Sequence, residues 1–212
     1  MQRRTENDNN KNIGILGGSF DPIHFGHIRI AGHALVQANL DLVLFMVAPR
    51  PPHKDASQLS PFEHRLKMTR LALKDKEGME ASDLEEKIEG RSYTIYTIEK
   101  LRTLYPQSDF SLIVGSDTIS DIPNWYKPEE LLNLVNIIPF LRLPETEINF
   151  SILRNLVGRE KLHQIERSVI NIKPIDISST EIRHQIKNNQ PISNLTPTVV
   201  ENYIKTNNLY KD

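Results

Sequence analysis

Two histidines three positions apart, His24 and His27, close the stretch GILGGSFDPIHFGHI at residues 14–28. An imidazole donates one hydrogen bond when neutral and two when protonated, and either form suits a phosphate oxygen. Gly17 and Gly18 precede them, and glycine lets a backbone turn tightly and approach a ligand closely. The apolar run before the glycines reads as a strand and the residues after His24 as a helix. The turn therefore lies at a helix N-terminus, whose unpaired N–H groups and positive dipole end favour an anion. The glycines do not form the dinucleotide pattern G-x-G-x-x-G, and no Lys-Ser or Lys-Thr follows them as in a Walker loop. A metal site needs further ligands, and neither a Glu nor a third His stands at helical spacing. Taken singly, a histidine at such a place more often caps the turn and fills space.

Other residues with usable chemistry stand at element ends. His53 and Lys54 lie in the proline-rich loop RPPHKDAS, where a charge is ordinarily solvated. Asp117 follows an apolar run and Gly115, a place for a helix N-cap or for an acceptor of ribose hydroxyls. Trp125, the only tryptophan, lies between Pro123 and Pro128. In ISSTEIR, Ser178 and Glu181 have capping-box spacing, and Arg183 stands one turn into the helix they open. On its own Arg183 reads as a surface residue.

The elements that must position these groups alternate. NIGILG at 12–17 is a short buried strand, and Ile28, Ala31, Leu35 and Ala38 give a helix from about Gly26 to Ala38. DLVLFMVAP is a second apolar strand. Ser60, Pro61 and Glu63 supply an N-cap, a first-turn proline and a capping-box partner for a helix through Phe62, Leu66, Thr69 and Leu73. A strand is expected near Met79 to Leu84, a turn at Gly90, and a helix capped by Ser92 that carries Ile95, Ile98 and Leu101. DFSLIVG at 109–115 is a further buried strand, and LVNIIPFLRL is another, interrupted by Pro139. A helix near 146–157, a strand near 168–172 and two closing helices complete the expectation. Strands that are continuous apolar runs between helices predict a doubly wound parallel α/β sheet with a small C-terminal helical part. Ligands of such sheets sit at the carboxyl ends of the strands, near the switch in strand order.

Composition sets outer limits. The chain has 212 residues, is 38% hydrophobic and 25% charged, and carries a formal net charge of -1. No global basic field points to nucleic acid. With no cysteine, disulfides and thiolate metal sites are excluded, which fits a cytoplasmic protein. No apolar run reaches the about 18 residues of a membrane span. Residues 1–11 read as a disordered tail and 12–212 as one domain.

The combination GGSFDPIHFGH resembles the nucleotidyltransferase superfamily that carries an H-x-G-H motif. PPHK at 51–54, SYTIYTI at 92–98, VGSD at 114–117, NWY at 124–126, ISSTEIR at 177–183 and the closing VVENYIKTNNLY narrow the resemblance to the bacterial nicotinate-nucleotide adenylyltransferases. It covers about residues 12–210, in order. Where that family usually shows Arg-Pro-Gly, this chain has Arg142-Leu143-Pro144, so the resemblance gives Arg142 no role.

The resemblance implies a Rossmann-like nucleotidyltransferase fold and adenylyl transfer from ATP to nicotinate mononucleotide in NAD biosynthesis. Mg²⁺ would be carried with the ATP. It implies that His24, His27 and Arg183 are catalytic, and that Gly17, Gly18, Ser19, Phe20, Ser179 and Thr180 join them in binding ATP. It places His53, Lys54, Thr94, Asp117, Trp125 and Tyr126 on nicotinate mononucleotide, with Trp125 stacked on the ring. The partners expected are these two substrates and possible further copies of the chain, without nucleic acid or membrane. Two other readings stay open: a superfamily member acting on nicotinamide mononucleotide or phosphopantetheine, and a non-catalytic nucleotide sensor.

Overall fold

Every residue of the second strand, β2 (Leu42–Val47), is buried in the computed structural model, which describes residues 11–50, 59–88, 93–143, 147–173 and 176–211. Side chains alternate across a strand. Leu42, Leu44 and Met46 enter one core, and Val43, Phe45 and Val47 enter another. A continuous apolar run is what a strand covered on both faces requires.

β1 (Asn12–Gly18), β2, β3 (Met79–Ser82), β4 (Asp109–Gly115) and β5 (Asn136–Phe140) form one sheet in the order β3-β2-β1-β4-β5. All its pairings are parallel. One face packs residues of α1 (Phe25–Gln37), α2 (Phe62–Leu73), α7 (Ser179–Lys187) and α8 (Thr198–Thr206). The other packs α3 (Thr94–Leu104), α4 (Ser116–Asp121), α5 (Pro128–Leu134) and α6 (Arg159–Arg167). The chain winds from β1 outward through β2 to β3, then returns to β4 on the other side of β1. In doubly wound sheets ligands sit beyond the carboxyl ends of the two strands at such a reversal, here β1 and β4. Among the described residues no helix is long and apolar enough to cross a membrane.

Several local expectations are corrected. Pro139 does not interrupt β5. The strand lies at the sheet edge, and the Pro139 carbonyl accepts from Ile170 N–H at 2.9 Å. Its missing N–H therefore faces away from β4, where no ladder bond is lost. The strand near 168–172 is only this one bridge, Phe140 to Ile170. The helix near 146–157 is a single 3-10 turn, Phe150–Leu153, capped by the Asn149 side chain. α6 follows it and buries only Leu162 and Ile165, a stripe too thin to announce a helix. Pro61 rather than Ser60 occupies the N-cap position of α2, because Ser60 gives its N–H to Asp21 Oδ2 and its carbonyl to Arg65. Tyr93 holds the N-cap position of α3. Ser92, Gly90, His53, Lys54 and residues 1–10 of the expected tail lie outside the described residues.

Behind α3, Glu85 on a 3-10 turn accepts from Thr97 Oγ1 at 3.0 Å. Burial raises its carboxyl from 4.5 to about 7, and the Thr97 bond offsets part of that rise. The fold thus favours the protonated form. That contribution is full below pH 4.5 and is lost as pH rises through about 7. Glu85→Gln keeps the acceptor and removes the charge. Its melting temperature should exceed the parent's at about pH 8 and match it at about pH 4. Equal melting temperatures at both pH values would show that Glu85 is solvated.

Candidate functional site

The loop leaving β1 has no ladder to satisfy its backbone, and other segments supply the partners. Ser19 O accepts from Arg65 Nη1 at 2.8 Å, Asp21 O from Arg183 Nη1 at 2.8 Å, Pro22 O from Ser179 Oγ at 2.9 Å and Ile23 O from Thr196 Oγ1 at 2.7 Å. Phe25 N–H donates to Leu195 O at 2.9 Å. The Asp21 side chain, 0% exposed, accepts from Tyr210 Oη at 2.7 Å and from Ser60 N–H at 3.3 Å. Phe20 takes a left-handed φ of 48°, and its buried ring meets the His27 ring edge-on at 4.9 Å.

The histidines lie where α1 begins. His24 is the N-cap residue and His27 is the third helical residue. Their rings stack at 3.6 Å. His24 N–H donates to His27 Nδ1 at 3.3 Å, so in neutral His27 the proton sits on Nε2, leaving that nitrogen as a donor. His24 is 6% exposed, and its Nδ1 has no hydrogen-bond partner among the described residues. Burial first, and the Arg142 charge second, lower its pKa from 6.5 to about 4. At neutral pH it is an uncharged imidazole with a bonding site to spare.

α7 brings the second group. Ser178 caps it by accepting from Glu181 N–H at 3.1 Å, as the spacing predicts. Ser179 and Arg183 bind the carbonyls of the histidine loop, and Arg183 Nη2 reaches Thr180 Oγ1 at 3.4 Å. Arg183 is thus half-buried against the loop, not a free surface charge. The structure brings together Ser179, Thr180, Arg183, His24, His27 and the Gly17–Phe20 turn. A Cβ built on Gly17 meets nothing within 4 Å, whereas one on Gly14 would crowd Leu40, Ile113 and Val43. Gly14 is a packing glycine, and Gly17 borders open space at the strand end.

Beyond β4 and β5, Asp117 Oδ2 pairs with Arg142 Nη1 at 3.0 Å. Asp117 is not the N-cap of α4, since Gly115 holds that position. A Cβ on Gly115 would run into the Asp117 carboxylate. Ser116 Oγ accepts from Arg142 N–H at 2.9 Å and fixes the loop from which Arg142 acts on His24.

A third cluster follows α4. Tyr126 stacks on Tyr93 at 4.4 Å, which joins the start of α3 to the Trp125 loop. Thr94 is the first residue of α3, so its N–H has no intrahelical acceptor. Trp125 is half-buried and packs on the core beside this cluster. The Lys127 ammonium is held by Glu130 at 2.9 Å. Sequence reasoning missed Arg65, Asp21, Thr196 and Tyr210. Arg65 had a signal: it lies on the buried stripe of α2 with Met68, Thr69 and Ala72, where an arginine needs buried partners.

A family model described as "Cytidylyltransferase-like" matches residues 15–185. A protein of Carboxydothermus hydrogenoformans described as "Probable nicotinate-nucleotide adenylyltransferase" is 40% identical over 199 residues, 94% of this chain and 98% of that protein. A Synechococcus protein of the same description is 38% identical over 202 residues, 95% of this chain and 96% of its own. In fold, the chain is similar to Plasmodium falciparum nicotinic acid mononucleotide adenylyltransferase complexed with NaAD, with a TM-score of 0.72 at 24% identity over 94% of this chain and 97% of that one.

The two glycines of β1 should respond differently to a methyl group. Gly14→Ala overpacks a core and should cost about 1–3 kcal/mol in denaturant unfolding. Gly17→Ala should leave the midpoint where the parent has it. Equal destabilisation by the two would mean that the space above Gly17 is closed.

Proposed function

The chain belongs to the nicotinate-nucleotide adenylyltransferase family, and we propose that it transfers the adenylyl group of ATP to the 5′-phosphate of nicotinate mononucleotide. One observation carries the assignment of residues. The helix start bearing His24 and His27 and the helix start bearing Ser179 and Arg183 are bonded to each other through consecutive carbonyls, Asp21 and Pro22. Two sets of candidate phosphate donors thus meet beyond the carboxyl end of β1.

A phosphate oxygen of nicotinate mononucleotide attacks the α-phosphorus, and the bond from that phosphorus to the bridging oxygen breaks. Pyrophosphate leaves with the electron pair, and deamido-NAD remains. Such a transfer asks the protein for alignment and for neutralisation of developing charge. His27 Nε2–H, His24 and the Arg183 guanidinium supply donors for the ATP phosphates, with the backbone of Gly17–Phe20 beside them. A bound phosphate sets a negative charge against the Arg142 cation, the second cause of the low His24 pKa, and so favours proton uptake there. Among the described residues no three metal-ligating side chains cluster. Mg²⁺ would come with the ATP and would offset the charge of its phosphates. Asp117 serves the ribose of nicotinate mononucleotide after exchanging its Arg142 partner for hydroxyls. Its cytoplasmic location and any self-association belong to the same proposal.

The deciding assay is pyrophosphate release with ATP and nicotinate mononucleotide. Turnover with this pair, and little with nicotinamide mononucleotide or phosphopantetheine, supports the reading. ATP binding without turnover would make the chain a sensor.

His24→Ala removes a donor used mainly as the leaving group departs. Its kcat should fall at least about tenfold, or about 1.4 kcal/mol. A folded variant with parental turnover would return His24 to a space-filling role.

Selection of acid over amide rests on backbone donors. The N–H groups of Thr94 and Tyr126 grip the nicotinate carboxylate, and Trp125 stacks on the ring. An amide would set its NH₂ against a donor. Charged hydrogen bonds contribute about 1.5–3 kcal/mol each, so two give a preference on the order of a hundredfold or more. Thr94→Ala should keep most of that preference, and Trp125→Ala should weaken both mononucleotides, in kcat/KM comparisons. Loss of preference in Lys127→Ala would move selectivity to a side-chain cation.

A further inference from the structure

The last turn of the chain reaches back to the histidine loop. After α8, Asn208 and Tyr210 take left-handed φ values of 52° and 66°. That conformation is costly for a tyrosine. What it achieves is a 2.7 Å bond from the Tyr210 hydroxyl to Asp21 Oδ1, across 189 residues of sequence. Burial, then the Asp21 charge, push the phenol's pKa well up, so it is a donor at any working pH.

Asp21 is fully buried, and its carboxylate has two cations near it. Arg65 is fixed by its own bonds to the carbonyls of Ser19, Ala48, Pro49 and Ser60. Arg183 is held less tightly. Its Nη1 rests on the Asp21 carbonyl and its Nη2 lies 3.4 Å from Thr180 Oγ1. A carboxylate robbed of a donor in a buried place takes the nearest one available. For Asp21 one such donor is the guanidinium already bonded to its own backbone carbonyl.

We propose that Tyr210 is a positioning residue that saturates the Asp21 carboxylate and so keeps Arg183 available to phosphate. This inference rests on the reading that Arg183 binds the phosphates of ATP. Tyr210 touches no reacting atom. It acts by denying the guanidinium an internal anion. Ser60 N–H covers the other carboxylate oxygen.

The test is a cycle on ATP affinity, measured by calorimetry with ATP alone, so that no turnover is needed. Tyr210→Phe keeps the ring and removes the donor. In the parent background it should weaken ATP at least about fivefold, an effect of the size expected for a lost charge-assisted bond. In an Asp21→Asn background, where no carboxylate competes for Arg183, the same change should alter affinity less than about twofold. Equal losses in both backgrounds would make Tyr210 a structural anchor and overturn the proposal, as would parental affinity in Tyr210→Phe. If Tyr210→Phe alone melts too low, Asp21→Asn is compared with Asp21→Asn/Tyr210→Phe, and a loss above twofold overturns it. Failure of the parent to use nicotinate mononucleotide bears on the substrate and leaves this comparison intact.

Discussion

A turn of irregular backbone in a dry place must find partners for its carbonyls, and here the turn in question carries the catalytic histidines proposed above. Arg65 supplies the first and most demanding bond. It is 1% exposed, and its three nitrogens bond the carbonyls of Ser19, Ala48, Pro49 and Ser60 at 2.7 to 3.2 Å. One guanidinium thereby ties the end of β1, the end of β2 and the entry to α2. Burying such a charge is expensive unless its donors are used. Lysine, with a point charge and three donors, could not span these carbonyls.

The rest of the loop depends on that frame. With Ser19 fixed, the next carbonyls meet Arg183, Ser179 and Thr196 in sequence order. These come from the C-terminal helical part, which thereby belongs to the site and is more than a cover for the sheet. The result is a loop whose carbonyls are taken up by donors from α2 and the C-terminal part. The histidine rings stack, His24 is buried and uncharged, and its Nδ1 has no hydrogen-bond partner among the described residues. Such a site is preorganised for negative charge, which is where catalysis of phosphoryl and adenylyl transfer gains most.

β1, β2, β4 and β5 were legible because both their faces are buried, which writes continuous apolar runs into the chain, whereas β3 is a half-exposed edge strand without such a run. The histidine motif and the capped start of α7 were legible because their chemistry is local. α6 was not, since two apolar residues among charges look like a loop. Pro139 looked like a break because the sequence does not say that β5 is an edge. Arg65 stands among the polar residues Glu63, His64 and Lys67 and reads like one more exposed polar residue until the helix is packed. The Asp21–Tyr210 bond joins positions 189 apart, and no local pattern can announce it.

The histidine loop should therefore open only with the sheet's cooperative unit, because it is fastened by Arg65 of α2 and by side chains of the C-terminal part. Native-state hydrogen exchange tests this at the Phe25 amide, which donates to Leu195 O, against the Ile15 amide inside β1. The account predicts that the two are protected to within about tenfold and lose protection together under mild denaturant. A Phe25 amide that exchanges orders of magnitude faster than Ile15, with no dependence on denaturant, would show a loop that opens by itself and would contradict the account.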